Sequence, residues 1–420
     1  MGGVEVDVFR IMGGKRLSGR VRLSGAKNAV LPILAAALLT DEPVVLKDCP
    51  RLKDVSNMLS ILQTLGCTYQ RREDEILVDA SDAQGWEMPG ELSKQLRSSI
   101  FMMGSILGRF RRATVTYPGG CEIGLRPIDL HLSGLRALGV RISEAHGMIY
   151  CDGSDMRGGE VQLDFPSVGA TENVMMAAVL SKGQTVIHNA AREPEIEDLQ
   201  NFINAMGGKV RGAGSSTIFI EGVSALHGAV YSPLPDRIVA GTLMAAAAAT
   251  GGELELDNVH MGDLAAVSDK MRQAGCEIET RDNALTLRAP RILRPVRIST
   301  QPFPGFPTDM QAQMMAMACL AQGTSVIVEN VFENRFAQAS QLRRMGADIL
   351  IHDRTAVIHG GRLTGASVAS RDLRGGAALV IAALAAEGVS EVSNVEFIDR
   401  GYDALECTLS ALGAQIQRLS

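Results

Sequence analysis

Aromatic side chains are scarce in this chain of 420 residues, at 4% of the total, although apolar residues make up 46%. Long apolar runs are absent as well: the longest, from Ala29 to Leu39, has 11 residues and includes a proline. A bilayer-spanning helix needs roughly 18 apolar residues, and the first residues show no basic segment followed by an apolar one, as a secretory signal would. We therefore predict a cytoplasmic protein that makes no membrane contact.

Paired cysteines are also missing. The seven cysteines stand singly, and the closest two, Cys49 and Cys67, are 18 positions apart. This spacing excludes a disulfide framework and a zinc site built from cysteine pairs. Neither the phosphate-binding pattern GxxxxGK(S/T) nor GxGxxG between a strand and a helix occurs, so nothing favours ATP or dinucleotide binding.

An overall excess of positive charge is lacking too, because the net charge is −6. Nucleic-acid binding needs a basic surface that neutralises phosphates, so we expect no nucleic-acid partner. Residues 94–126 form an exception, with six basic residues and one acidic residue. Such a segment suits an anionic ligand, although Arg109, Arg111 and Arg112 are also expected at a solvated helix end.

One unit recurs along the chain. An apolar block, a short strand and an amphipathic second helix are followed by a glycine, with a period of about 70 residues; these glycines are Gly66, Gly139, Gly207, Gly275, Gly346 and Gly413. Blocks such as AVLPILAAALL and GAALVIAALAA have no polar face, which predicts buried helices. The strands mix polar and apolar residues, which predicts sheets with one solvated face. We predict an α/β fold of six repeats in two domains, with the helices inside and the sheets outside.

Basic residues stand at the starts of several predicted buried helices, namely Lys27, Arg97, Arg237 and Arg374. A cation at a helix N-terminus opposes the helix dipole by roughly 0.3–1 kcal/mol. An anionic ligand would reverse that effect, because free N–H groups and cations together bind anions. Asp236 and Asp309, in contrast, occupy positions where an acidic residue could cap a helix.

The stretch PGGCEIGLRP, residues 118–127, places Cys121 in a glycine-rich loop close to Arg126, and we expect this loop to be exposed. A nearby guanidinium group lowers the pKa of a thiol, which could then act as a proton donor or a nucleophile. Pairing with His131 is not favoured. We predict that the other six cysteines are buried and inert.

Several longer motifs occur in a fixed order: GAKNAVLPILAAAL, SVGATENVMMAA, LPDRI, FPTDMQAQ, VFENRF, DLR and IDRGY. Together with the cysteine loop, they show that the chain resembles the UDP-N-acetylglucosamine enolpyruvyl transferases over nearly its whole length. The resemblance implies two inside-out α/β barrels, one formed by residues 26–234 and the other by residues 1–25 and 235–420, with the active site in the cleft between them.

The resemblance also implies an enzyme that moves the enolpyruvyl group of phosphoenolpyruvate to the 3-hydroxyl of UDP-N-acetylglucosamine, with no metal or organic cofactor, to open peptidoglycan precursor synthesis. By the same matching, Cys121 is the acid that forms the adduct and reacts with fosfomycin, and Asp309 is the base. Lys27, Arg126 and Arg400 would bind phosphoenolpyruvate. The sugar nucleotide would contact Asn28, Arg97, Arg126, Pro127, Ile128, Asp129, Leu130, Phe165, Pro166, Ser167, Val168, Asp309, Val331 and, at the last buried helix, Arg374.

Two segments depart from the family pattern. Phe165-Pro166 puts side-chain contacts to uridine in doubt, and Gly375-Gly376 is expected to loosen the helix start beside Arg374, since glycine costs about 1 kcal/mol inside a helix. The alternatives are a catalytically silent sugar-nucleotide-binding paralogue, a 5-enolpyruvylshikimate-3-phosphate synthase, and a reuse of the fold as in RNA 3′-terminal phosphate cyclases. The acidic charge and the few aromatic residues weigh against the last.

Overall fold

The computed structural model describes residues 7–88, 90, 97–117 and 128–419. These residues form two compact units, one made of residues 7–24 and 235–419 and the other of the described residues between 25 and 234. Within the described ranges, no helix has the length and apolar content that a membrane crossing requires.

The helices alternate between buried and amphipathic members along the chain. Those described are α1 (Lys27–Ala36), α2 (Lys53–Thr64), α3 (Met102–Phe110), α4 (Asp129–Ala137), α5 (Val168–Ala178), α6 (Pro194–Ala205), α7 (Arg237–Thr250), α8 (Ala265–Gln273), α9 (Gln311–Ala318), α10 (Gln338–Arg344), α11 (Leu373–Ala385) and α12 (Leu405–Ala411). Short 3-10 helices cover Ala37–Leu39, Arg97–Phe101, Met261–Leu264, Thr308–Met310 and Val395–Phe397.

All the strands among the described residues have two to five residues. They are β1 (Val8–Met12), β2 (Ser18–Arg22), β3 (Val44–Leu46), β4 (Thr68–Arg72), β5 (Glu75–Asp79), β6 (Arg112–Thr116), β7 (Arg141–Ala145), β8 (Met148–Asp152), β9 (Glu160–Gln162), β10 (Gln184–His188), β11 (Lys209–Arg211), β12 (Thr217–Glu221), β13 (Val230–Tyr231), β14 (Glu253–Asp257), β15 (Glu277–Arg281), β16 (Ala284–Arg288), β17 (Arg297–Ser299), β18 (Thr324–Val328), β19 (Asp348–His352), β20 (Thr355–His359), β21 (Ser367–Ala369), β22 (Val389–Ser393) and β23 (Gln415–Leu419).

The apolar blocks form the buried helices α1, α3 and α5 in one unit and α7, α9 and α11 in the other, as their lack of a polar face predicts. Small residues let these helices approach closely. At Gly104 in α3, a Cβ atom would lie only 2.7 Å from the amide oxygen of Asn173 in α5. That oxygen instead accepts a hydrogen bond of 2.7 Å from the Gly104 backbone N–H.

Each unit carries three sheets on the outside of its helices, with strand orders β13-β3-β5-β4, β6-β8-β7 and β11-β12-β10-β9 in one and β21-β22-β1-β23, β15-β16-β14-β2 and β17-β18-β20-β19 in the other. In most of these strands, alternate residues are buried against the helices and the others are half-buried or exposed. The predicted α/β class, with helices inside and sheets outside, is confirmed.

The N-terminal strand β1 pairs with two strands from the far end of the chain. Phe9 lies opposite Val392 of β22 and Arg418 of β23, both in antiparallel register. In the other four-stranded sheets, the equivalent middle strand comes from the same repeat as its neighbours, for example β20 between β18 and β19. Strand β1 therefore completes the sixth repeat.

The six repeat-closing glycines each follow an amphipathic helix and have φ values between 87° and 101°. This left-handed conformation is strained for residues with a Cβ atom and is common just after a helix. The period of about 70 residues therefore marks a true structural repeat.

The arginines near residue 110 differ from the expectation of a solvated helix end. Arg109 donates hydrogen bonds of 2.6–2.8 Å to the carbonyl oxygens of Leu38, Thr40 and Ala80. Arg111 donates to the carbonyl oxygen of Leu180, and burial lowers the pKa of both arginines. These two guanidinium groups are thus bound to backbone carbonyls of neighbouring segments; Arg112, which is exposed, stacks on Trp86 instead.

Candidate functional site

The basic residues predicted at helix starts do lie there. Helix α1 begins at Lys27 and α7 at Arg237, a 3-10 helix begins at Arg97, and Arg374 is the second residue of α11. The side chains of Lys27, Arg237 and Arg374 are all buried. Burying a cation is costly unless it has a partner, so the partners of these residues define the site.

Lys27 is held by a carboxylate from the neighbouring helix α2. Its Nζ atom lies 2.7 Å from Oδ2 of Asp54, which is fully buried. The ion pair fixes the ammonium group at the start of α1, beside the half-buried Asn28. A fixed cation next to free helix N–H groups is suited to an anionic ligand.

Asp309 does not cap a helix, unlike Asp236, whose Oδ1 accepts hydrogen bonds from the backbone N–H groups of Ile238 and Val239. The Asp309 side chain leaves the 3-10 turn Thr308–Met310 and meets two guanidinium groups. Nη2 of Arg335 lies 2.6 Å from its Oδ1, and Nη2 of Arg374 lies 3.1 Å from its Oδ2.

The exposure of these groups is uneven. Both arginine side chains are 5% exposed, whereas the Asp309 side chain is 26% exposed. The guanidinium groups therefore stabilise the ionised carboxylate from inside the protein, while part of the Asp309 side chain stays accessible from outside. An ionised, oriented and accessible carboxylate can accept a proton from a substrate hydroxyl.

Arg335 and Glu329 are candidate site residues that the sequence interpretation did not single out. Glu329 is buried, and its carboxylate accepts hydrogen bonds of 2.9 Å from the hydroxyls of Thr300 and Thr308 and from the backbone N–H of Val331. It thereby joins the turn that carries Asp309 to the loop that carries Val331. Arg335 lies in the motif VFENRF and Glu329 lies just before it, so this motif is the sequence feature that could have pointed to both residues.

Two predicted sugar-nucleotide segments lie close together in the other unit. Residues 128–130 lead into α4, and residues 165–168 lead into α5, where the Ser167 hydroxyl accepts a hydrogen bond of 3.3 Å from the backbone N–H of Ala170. The two helix starts touch at Gly169, where a Cβ atom would lie 2.9 Å from the His131 ring. Phe165 is 47% exposed, so its side chain is accessible at this edge.

Members of each of these two segments differ in burial. Ile128 is buried, Leu130 is half-buried and Asp129 is exposed, while Pro166 and Val168 are half-buried. In the other unit, Val331 and Arg400 are half-buried. Cys121, Arg126 and Pro127 lie outside the described residues.

The start of α11 is capped and closely packed although it contains Gly375-Gly376. Asp372 caps this helix, because its Oδ1 accepts hydrogen bonds of 3.0 and 2.8 Å from the backbone N–H groups of Arg374 and Gly375. A Cβ atom on Gly376 would overlap the hydroxyl of Ser370 and lie 2.7 Å from Ile398. These glycines allow close packing under Arg374.

The other cysteines are mostly as predicted. Burial raises the pKa of Cys49, Cys151 and Cys319 to about 12 and that of Cys67 and Cys276 to about 11, so these thiols stay protonated. Cys407, in contrast, is exposed, and the prediction that it is buried was wrong. Among the residues that the structure describes, no group of three or more His, Cys, Asp and Glu side chains could hold a metal ion.

Comparisons with known proteins agree over the whole chain. The family model described as EPSP synthase (3-phosphoshikimate 1-carboxyvinyltransferase) matches residues 11–409. A protein of Caldanaerobacter subterraneus subsp. tengcongensis, named UDP-N-acetylglucosamine 1-carboxyvinyltransferase 2, is 51% identical over 413 residues, which cover 98% of this chain and 99% of that protein. A protein of the same name from Carboxydothermus hydrogenoformans is 51% identical over 418 residues, covering 99% of this chain and 100% of that one.

Among solved structures, the enolpyruvyl transferase NikO from Streptomyces tendae matches with a TM-score of 0.89 at 24% identity, over 98% of this chain and 99% of that chain. This likeness shows the shared fold.

Proposed function

This chain belongs to the family of the UDP-N-acetylglucosamine 1-carboxyvinyltransferases, and we propose that it transfers the enolpyruvyl group of phosphoenolpyruvate to the 3-hydroxyl of UDP-N-acetylglucosamine. Phosphate is the second product, and the reaction supplies peptidoglycan precursor synthesis. The observation that carries the proposal within the structure is Asp309, an accessible carboxylate held in place by Arg335 and Arg374.

The reaction needs a base, an acid and a binding site for anions. In the addition step, Asp309 takes the proton of the sugar 3-hydroxyl while the oxygen of that hydroxyl forms a bond to C2 of phosphoenolpyruvate. The π electrons of the double bond bind a proton at C3, and we propose that the Cys121 thiol donates this proton. In the elimination step, the Cys121 thiolate takes a proton back from C3, the electrons of that C–H bond form the double bond again, and the C2–O bond to phosphate breaks, so that phosphate leaves with its electron pair.

The remaining assignments divide between the two substrates. Lys27, which Asp54 orients at 2.7 Å, would bind phosphoenolpyruvate with Arg126 and Arg400. The sugar nucleotide would lie along residues 126–130 and 165–168, with Asn28, Arg97 and Val331. The adjacent starts of α4 and α5 support this placement, because two helix N-termini present free N–H groups to a diphosphate.

A two-acceptor assay tests this proposal. The purified chain receives phosphoenolpyruvate with either UDP-N-acetylglucosamine or shikimate 3-phosphate, and released phosphate is measured with time. We expect release with the sugar nucleotide and none with shikimate 3-phosphate. Release with shikimate 3-phosphate alone would identify the synthase alternative, and binding of the sugar nucleotide without release would identify a silent paralogue.

A further inference from the structure

A buried polar cluster lies behind Asp309, on the side of Arg374 that faces away from it. Nη1 of Arg374 lies 3.2 Å from the Tyr402 hydroxyl, which lies 2.9 Å from Oγ1 of Thr242. Nε2 of Gln313 is 3.1 Å from that Oγ1 and 3.3 Å from the Tyr402 hydroxyl. The four side chains come from α7, α9, α11 and the segment after the last 3-10 helix, and all are buried.

The hydrogen-bond directions in this cluster follow from the donors available. The Thr242 hydroxyl donates to the carbonyl oxygen of Ile238 at 2.8 Å, so its oxygen is left to accept. Tyr402 must then donate its proton to Thr242. The lone pairs of the Tyr402 oxygen consequently accept hydrogen bonds from Nη1 of Arg374 and Nε2 of Gln313, because both nitrogen atoms can only donate.

The guanidinium group of Arg374 is planar, and hydrogen bonds hold it on two sides. Its Nε and Nη2 atoms donate to Oδ2 of Asp309, and its Nη1 atom donates to Tyr402. Among the described residues, these two side chains are the hydrogen-bond partners of the guanidinium group. Fixing Nη1 therefore fixes the plane that Arg374 presents to Asp309.

We propose that Tyr402, oriented by Thr242, is a positioning residue that holds Arg374 so that the Asp309 carboxylate faces the substrate hydroxyl. The inference rests on the proposed function, in which Asp309 is the base. Tyr402 does not itself touch the substrate. Its loss leaves Nη1 of Arg374 without its acceptor and removes one of the two acceptors of Nε2 of Gln313. A base displaced by even 1 Å can lose up to about 100-fold in rate.

Tyr402→Phe tests this role, because it keeps the ring and removes only the hydroxyl. We expect kcat for phosphate release to fall tenfold or more, while KM for both substrates stays within about threefold. Thr242→Val should lower kcat in the same way, since Tyr402 loses its own acceptor, whereas the conservative Thr242→Ser keeps the hydroxyl and should retain most activity.

Tyr231→Phe serves as the matched control. Its hydroxyl donates to Asp198 at 2.6 Å in the other unit, so the variant loses a comparable hydrogen bond without affecting Asp309. A fall in kcat equal to that of Tyr402→Phe would show that a general loss of stability is the cause, and would overturn the proposal. Unchanged kcat in both Tyr402→Phe and Thr242→Val would also overturn it.

Two further outcomes separate this inference from the proposed function. If Tyr402→Phe fails to fold, as judged by circular dichroism, the comparison of Thr242→Val with Thr242→Ser decides the question alone. An inactive wild-type chain would refute the proposed function, whereas an active wild-type chain with an equally active Tyr402→Phe variant would refute only the positioning role.

Discussion

A carboxyl group lies in the core of the unit formed by residues 25–234. Glu172 of α5 is fully buried, and neither oxygen of its side chain has a hydrogen-bond partner among the described residues. Burial, followed by the nearby carboxylates of Glu195 and Glu193, raises the pKa of Glu172 well above its usual value. We therefore predict that Glu172→Gln stabilises the protein, because a neutral amide of similar shape replaces an acid that must keep its proton.

The size of the effect depends on pH in a defined direction. Above about pH 4.5, the unfolded chain loses the Glu172 proton while the folded chain keeps it, so the folded state binds one more proton. Each pH unit then lowers the free energy of unfolding of the wild type, relative to Glu172→Gln, by about 1.4 kcal/mol. The difference should therefore grow as the pH rises from 5.5, and the growth stops at the pKa of the folded state.

Urea unfolding at pH 5.5, 6.5 and 7.5, followed by circular dichroism, measures this difference. Glu277→Gln provides the control, because Glu277 is exposed on β15 and its replacement should leave the pH dependence unchanged. Parallel pH dependence of the wild type and Glu172→Gln would show that Glu172 is ionised in the folded protein and would refute the reasoning.

Three other changes test separate features of the molecule. Asp309→Asn should lower kcat for phosphate release by about 10²–10⁴-fold, the usual contribution of a general base, and activity within threefold of the wild type would remove Asp309 from that role. Gly376→Ala should lower the melting temperature, because its Cβ atom would lie 2.7 Å from Ile398, whereas Gly361→Ala, where a Cβ atom meets nothing within 4 Å, should not; equal melting temperatures would contradict the packing argument. Cys121→Ser should abolish covalent labelling by fosfomycin detected by mass spectrometry, while Cys407→Ser, which removes an exposed thiol, should leave labelling intact, and the reverse pattern would show that Cys407 is the reactive thiol.

The repeat and its buried helices could be predicted because they depend on local patterns. A helix without a polar face has to be buried wherever it lies, and a glycine after an amphipathic helix ends it in the same way in every repeat. The cations at Lys27, Arg237 and Arg374 could be located for the same reason, since a mismatch with the helix dipole is visible in the sequence.

The partners of those cations could not be predicted, because they lie far away along the chain. Arg374 contacts Asp309 across 65 positions, and Arg335 contacts it across 26. The error at Arg109 has the same origin, since its carbonyl partners at Leu38 and Ala80 are supplied by other elements. Only the three-dimensional packing shows whether a lysine or arginine side chain contacts a carbonyl oxygen, a carboxylate or a ligand.

The most direct test of the proposed function is an internal competition. The purified chain is given phosphoenolpyruvate together with equal concentrations of UDP-N-acetylglucosamine and shikimate 3-phosphate, and both enolpyruvyl products are quantified by mass spectrometry before either acceptor is consumed. The product ratio reports the ratio of the two kcat/KM values. We predict that only the enolpyruvyl sugar nucleotide forms, and accumulation of the shikimate product instead would contradict the proposed function.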